Sequence, residues 1–249
     1  MQLSADEVAR YQRQMMIPGW GQEAQRALKE SSVFVAGAGG LGSAVSIYLA
    51  VAGVGRLVVC DLDKVDLSNL NRQILHDASR IGVSKVASAR ATLTRLNPEI
   101  EVRTIEARIG ADNADELVGD SQLIVDCVDN FEARYVLNDS AIRKAIPLIH
   151  GSVFGLEGRL SFIHVPKTAC LRCIFPEPPP STVPPVLGAT PGVIGVLQAM
   201  EAVKYLAKVG KNLKGKLLVW DGACMDFRSF RTQRDTACLS CGDRDTDRG

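Results

Sequence analysis

SVFVAGAGGLGSAVSIYLAVAGVGRLVVCD, residues 32–61, decides the fold. Ser32–Ala36 is an unbroken apolar run, the pattern of a strand buried on both faces. Gly37, Gly39 and Gly42 follow as GxGxxG, with Gly40 inside the motif. Leu41–Ala52 is apolar enough for a helix packed on a sheet, Gly55 ends the unit, and Arg56–Asp61 is a second strand. Strand, glycine loop, helix and strand make a βαβ unit. The glycines permit a tight turn and let backbone N–H groups approach a phosphate at the positive end of the helix. Asp61 closes the second strand, where its carboxylate can accept hydrogen bonds from ribose hydroxyls. Together these features point to an adenine nucleotide; a close-packed glycine turn without ligand is the weaker alternative. They do not choose between NAD and ATP.

Outward from this unit the alternation continues. Helices are predicted over Val83–Leu96, Ala114–Val118 and Phe131–Lys144, and strands over Glu101–Glu106, Gln122–Cys127 and Pro147–His150. That rhythm specifies a doubly wound, mostly parallel Rossmann-like sheet. Upstream, residues 4–30 read as two short helices, with Ser4 and Glu7 spaced as a capping box and Pro18-Gly19 as the break. Downstream, Ser152–Glu157 and Arg159–Val165, joined at Gly158, read as a hairpin, and Lys216–Asp221 and Met225–Arg231 as two late strands that extend the sheet antiparallel. The proline-dense stretch 176–191 is expected to be a mobile crossing loop. Val193–Ala207 is too apolar all round for a surface helix, so it is either central or buried at a subunit interface. The expected division of this single domain is 1–30 helical, 31–150 nucleotide-binding, 151–241 the antiparallel strands and long apolar helix, and 242–249 a flexible tail.

The 249 residues suffice for a full core, and the net charge of +1 argues against a nucleic-acid binder working by bulk electrostatics. No apolar run is long enough for a membrane helix, and Met1–Arg10 is neither signal nor transit peptide, so a cytoplasmic location is expected. Of seven cysteines, Cys60, Cys127 and Cys224 lie in or beside strand-like runs and read as small buried hydrophobes. Cys170, Cys173, Cys238 and Cys241 form two CxxC pairs, which together supply four thiolates for a structural zinc; a redox dithiol or unligated thiols are the alternatives.

Beyond Asp61 the chain runs into a polar loop, DLDKVDLSNLNRQ, residues 61–73, where an NAD domain would usually continue into an ordinary crossing helix. The loop offers Asn69, Arg72 and Gln73, and Lys85 opens the next helix. Arg forks onto phosphate oxygens and Lys supplies a point charge, which suits transfer at a triphosphate. Asp129, past a further strand end, is a candidate for magnesium, which takes few carboxylates plus phosphate oxygens. Asn130 either contacts the nucleotide or caps the helix that follows, and both roles can hold together. His76, His150 and His164 are scattered and give no acid/base set for hydride transfer, which leaves an NAD-dependent oxidoreductase as the second reading.

RYQRQ at 10–14, the glycine motif, Asp61 and Asp63, SNLNRQ at 68–73, Lys85 and DCVDN at 126–130 together resemble the MoeB/ThiF (HesA) adenylyltransferases, prokaryotic relatives of ubiquitin-activating enzymes. The resemblance spans about residues 4–241 and implies that 151–241 is the carrier-binding, dimer and zinc-bearing part. It implies an ATP-binding homodimer that adenylates the Gly-Gly tail of a MoaD- or ThiS-like sulfur carrier, for molybdopterin- or thiamine-type biosynthesis. It places Gly40, Asp61, Ser68, Asn69, Leu70, Asn71, Arg72, Lys85, Asp129 and Asn130 around the nucleotide, and has Arg13 reach the phosphates of the other subunit. It also places zinc on the two cysteine pairs. Within the family, a small molecule or a tRNA-borne carboxylate is the alternative substrate. Many members carry a cysteine in the loop before the long apolar helix; the corresponding position here is Ser181, which cannot carry sulfur, and a rhodanese-like domain is not expected. A separate sulfur donor is therefore expected.

Overall fold

The computed structural model describes residues 2–179 and 185–242; Ser181 and the charged tail 243–249 lie outside the described residues. Eight strands form one sheet: β1 (Ser32–Ala36), β2 (Arg56–Cys60), β3 (Glu101–Ile105), β4 (Leu123–Asp126), β5 (Leu148–Phe154), β6 (Glu157–Ile163), β7 (Lys216–Asp221) and β8 (Asp226–Arg231). Their order is β3-β2-β1-β4-β5-β6-β7-β8. The first five are parallel and the remaining pairings antiparallel. The doubly wound sheet with an antiparallel extension is therefore as the alternation indicated.

Helices α1 (Ala5–Met15), α2 (Gly21–Lys29), α3 (Gly40–Ala52), α4 (Lys85–Leu96), α5 (Ala114–Val118), α6 (Phe131–Arg143), α7 (Leu171–Ile174) and α8 (Ala189–Ala207) surround the sheet. Ser4 caps α1 in the expected box, its hydroxyl accepting from the Glu7 N–H at 3.1 Å while Glu7 accepts from the Ser4 N–H at 2.7 Å. Strand side chains alternate, and both faces are covered. Val33, Val35, Leu57 and Ile149 pack with Leu49 of α3 and Ile194 and Ala202 of α8. Phe34, Ala36, Val58 and Ile124 pack with Leu137 and Ala141 of α6 on the other face. None of the helices among the described residues is long and apolar enough to cross a membrane.

Three expectations need correction. The hairpin turns at Gly155-Leu156, not Gly158, and β5 runs without a break from Leu148 to Phe154. Gly158 sits inside β6 opposite Val153, because any Cβ there would overlap the Ile194 side chain of α8. The turn falls to Gly155, whose φ of +60° suits a residue without a side chain. Second, Pro191 belongs to the first turn of α8, where a missing N–H costs nothing, so the helix starts four residues before Val193. Part of the preceding loop is also pinned: Gly155 donates its N–H to the Pro185 carbonyl at 2.7 Å. Third, Cys224 lies exposed in the turn between β7 and β8, whereas Cys60 and Cys127 are buried as expected. Of the two alternatives for α8, the central one holds: it packs between α3 and β5, with Gln198, Ile194 and Ala202 fully buried.

Candidate active site

Parallel pairing puts the carboxyl ends of β2, β1 and β4 side by side, with Ala36 in register with Cys60 on one flank and Asp126 on the other. The chain leaves β1 between strands that diverge in sequence, which is the switch point where open α/β sheets take ligands. The glycine loop, Asp61 and Asp129 therefore emerge along one edge.

The glycines divide by what they tolerate. Gly37 has φ +101° and would set a Cβ 2.8 Å from the Cys127 carbonyl oxygen, and a Cβ on Gly42 would overlap the Gly37 oxygen. Both serve the turn itself. Gly39 differs: a Cβ there would meet nothing closer than Gln73 Nε2 at 3.6 Å, so the backbone is open to a ligand. Gly40 opens α3 against Pro191 and the stem of Arg72. Asp61 accepts from the Ala38 N–H at 2.7 Å and the Asp63 N–H at 2.8 Å, which ties the loop to the end of β2. Each carboxylate oxygen keeps a second lone pair for a ribose hydroxyl.

The polar loop folds into a short 3₁₀ turn, Leu67–Asn69, capped by Asp66. Arg72 is half-buried and donates from one guanidinium nitrogen to the Ser68 carbonyl and the Asn71 side chain, both at 2.9 Å. Asn69 and Leu70 are half-buried, and Ser68 and Asn71 are exposed. Lys85 is buried at the start of α4, its Nζ 2.8 Å from Asp63, which is itself exposed. Gln73 is buried beside Gly39. Asn130 caps α6, accepting from the Ala133 N–H at 2.9 Å, while the neighbouring Asp129 is exposed and takes no cation among the described residues. Thus Gly39, Gly40, Asp61, Asp63, Arg72, Gln73 and Lys85 are brought together by direct contacts. Arg13 is not: it lies exposed on the last turn of α1 and takes no hydrogen bond or ion pair among the described residues.

Four residues under this edge carried no role in the sequence reading. Asp126, fully buried at the end of β4, sits 2.7 Å from His150 Nδ1 and 3.6 Å from Arg134 Nε. Arg134 also donates to the Val128 carbonyl at 2.7 Å, which fixes the loop that carries Asp129. Gln198 of α8 donates its amide to the carbonyls of Asp126 and Ile149. His76 is buried under the glycine loop, 2.9 Å from the Ala38 carbonyl. An aspartate ending an otherwise apolar strand, with an arginine inside the following helix, is the one signal that would have found the Asp126–Arg134 pair. None of these groups offers an accessible nucleophile or acid, and burial pushes the Cys60 thiol up to about 12 and Cys127 well above its ordinary value.

Replacing Asp126 with alanine strands a buried guanidinium, and the expected loss is about 3–5 kcal/mol of unfolding free energy, read from urea midpoints. A pH effect follows from His76 and His150. Burial, as the largest cause, holds both imidazoles below their ordinary 6.5. The unfolded chain then binds the extra protons, so this contribution is complete above about pH 7 and is lost as pH falls below about 6.5, at up to ~1.4 kcal/mol per pH unit for each ring. Urea midpoints at two pH values either side of 6.5 should differ in that direction, and His150→Asn should reduce the difference.

At the far end of the chain, the Sγ atoms of Cys170, Cys173, Cys238 and Cys241 lie within 4.8 Å of one another. Cys170–Cys173, Cys170–Cys238 and Cys173–Cys241 are separated by 3.7, 3.5 and 3.4 Å. A tetrahedral zinc with bonds of about 2.3 Å sets ligands roughly 3.8 Å apart, so the donor set fits that metal. The Asp235 N–H points at Cys173 Sγ from 3.4 Å, as outer partners of zinc thiolates do.

The ThiF family model matches residues 11–240. The sulfur carrier protein adenylyltransferase of Thermus thermophilus is 40% identical over 259 residues, covering 100% of this chain and 96% of that one. The SAMP-activating enzyme E1 of Haloferax volcanii is 42% identical, covering 99% and 93%. The adenylyltransferase and sulfurtransferase MOCS3 of Culex quinquefasciatus is 43% identical, but this chain spans only 57% of its length. Among solved structures, Escherichia coli MccB superposes with a TM-score of 0.87 at 23% identity, over 97% of this chain and 74% of that one, a likeness of fold alone. The glycine loop, SNLNRQ and the strand-end aspartates lie inside the matched region, and the chain belongs to the ThiF family.

Proposed function

We infer that the chain adenylates the C-terminal glycine of a small ubiquitin-like sulfur carrier of the MoaD or ThiS kind, using ATP and magnesium. The observation that carries this reading is a coincidence of two things. A relative 40% identical from end to end is named a sulfur carrier protein adenylyltransferase, and the glycine loop has Arg72 beside Gly40 and Lys85 joined to it through Asp63 and Asp61. In the reaction a carboxylate oxygen of the carrier's last residue attacks the α-phosphorus of ATP. The bond to the bridging oxygen breaks, pyrophosphate leaves, and an acyl-adenylate remains for a separate sulfur donor.

This chain's residues divide the work. Asp61 holds the ribose, and the N–H groups of Gly39 and Gly40 face the phosphates at the start of α3. Arg72 and Lys85 exchange their present partners, Ser68, Asn71 and Asp63, for phosphate oxygens and offset the charge that builds up during attack. Asn69, within the same loop, orients the nucleotide. Asp129, together with phosphate oxygens, would hold magnesium, which supplies further charge neutralisation there. The four cysteines would hold zinc with no position left open, as a structural clasp.

The test is carrier-dependent exchange of labelled pyrophosphate into ATP. Exchange is expected with a Gly-Gly-ended carrier and not with the same carrier truncated; no exchange with any such carrier would refute the reading. We further assign the working form to a homodimer, with Arg13 completing the partner's site. Arg13→Ala and Arg72→Ala proteins, each inactive alone, should then regain about a quarter of full activity when dissociated and reassembled together, because half the dimers are mixed and each has one intact site. Persistent inactivity of the mixture would place Arg13 in its own subunit's site, and an Arg13→Ala protein active by itself would place it outside both.

A further inference from the structure

Ala38, at the centre of the glycine loop, is held on both of its peptides. Ala38 donates its N–H to Asp61 at 2.7 Å, and its carbonyl faces His76 Nε2 at 2.9 Å. A carbonyl only accepts, so Nε2 carries the hydrogen and Nδ1 accepts from the Ser88 hydroxyl 2.9 Å away. Ser88 is fixed in turn on α4, where the Arg80 guanidinium donates to its carbonyl at 2.6 Å and to its hydroxyl oxygen at 3.2 Å. His76 is 7% exposed, and burial favours the neutral form of its ring.

In a trans peptide, the carbonyl of one residue and the N–H of the next point in opposite directions across one plane. Drawing the Ala38 oxygen inward onto His76 therefore turns the Gly39 N–H outward. That N–H takes no acceptor among the described residues, it lies just before the first turn of α3, and the space at Gly39 is open. We propose that His76 is a positioning residue for the nucleotide: through the Ala38 carbonyl it aims the Gly39 N–H at a phosphate of ATP, with Ser88 holding the ring in the tautomer this needs. The proposal rests on the adenylation reading, which supplies the phosphate. It concerns the orientation of one backbone donor rather than contact between His76 and substrate.

The experiment compares calorimetric titrations of magnesium-ATP and of adenosine, without carrier, on the full chain. His76→Phe keeps a ring and removes the donor. ATP affinity should fall about 10- to 30-fold, the worth of one hydrogen bond to a charged group, while adenosine affinity stays within about twofold. His76→Gln presents an amide N–H and should recover most of the loss. Ser88→Ala should show a smaller loss in the same direction. Equal weakening of both ligands, or a glutamine variant no better than phenylalanine, would make the ring a packing group and overturn the proposal. Should His76→Phe fail to fold, Ser88→Ala decides: an unchanged ratio of ATP to adenosine affinity overturns it. A parent chain that binds adenosine but no ATP would instead remove the adenylation reading itself.

Discussion

Arg72→Ala is expected to lower carrier-dependent pyrophosphate exchange by roughly 10²- to 10³-fold, the usual cost of removing one preorganised donor from a site of developing charge. Among the described residues the guanidinium hydrogen-bonds only to the Ser68 carbonyl and the Asn71 side chain, both in its own loop. Its loss should therefore leave the fold, the cysteine cluster and the melting temperature nearly unchanged. Arg72→Lys keeps the charge but loses the planar fork, and it should recover only part of the activity. A rise in KM for the carrier, with exchange unaffected at saturation, would mean that Arg72 binds protein and not phosphate.

Cys238→Ser should act in the opposite way, with a large effect on stability. The two CxxC pairs fasten residues 232–242 to α7, and α7 is tied to α6 by the Leu171 N–H, which donates to Asn138 at 2.8 Å. Four thiols this close cannot all ionise without a cation to bind them, and burial together with the neighbouring cysteines pushes Cys241 up to about 11. Zinc binding is worth about 10–16 kcal/mol in small domains that depend on it. Here the sheet has its own core, so we expect a loss of roughly 3 kcal/mol or more, or about 6–12 °C in a chain of this size. Metal analysis should read one zinc per parent chain and none in the variant, and residues 232–242 should become open to proteolysis. Full stability with no zinc in the parent protein would leave the cluster as four free thiols.

The contrast between these two variants follows from where each group sits in the fold, and most of that was legible in the sequence. The glycine loop, the acid on the next strand and the polar loop are local in the chain, so periodicity and spacing suffice to find them. Their common ground is parallel pairing, which brings the three strand ends together whatever the loops contain. Less legible were features settled by contacts between distant segments. Gly158 reads as a turn until Ile194 of α8 is seen to fill the space over it. Pro191 reads as a loop residue because sequence alone does not show that the helix begins just before it. Asp126 and His150 come from neighbouring strands, and Gln198 joins them from a third element. His76 looks scattered in the chain and becomes part of the site only because the segment after the polar loop packs under the first glycine turn. Arg13 marks the opposite limit: a family resemblance gave it a role that contacts within one chain do not test.

The most direct measurement is the intact mass of a Gly-Gly-ended carrier after incubation with this chain, ATP and magnesium. The carrier should gain the mass of one adenylyl group, located at its final carboxylate and removed by hydroxylamine. An unmodified carrier with ATP consumed, or an adenylyl group on any other residue, would contradict the account.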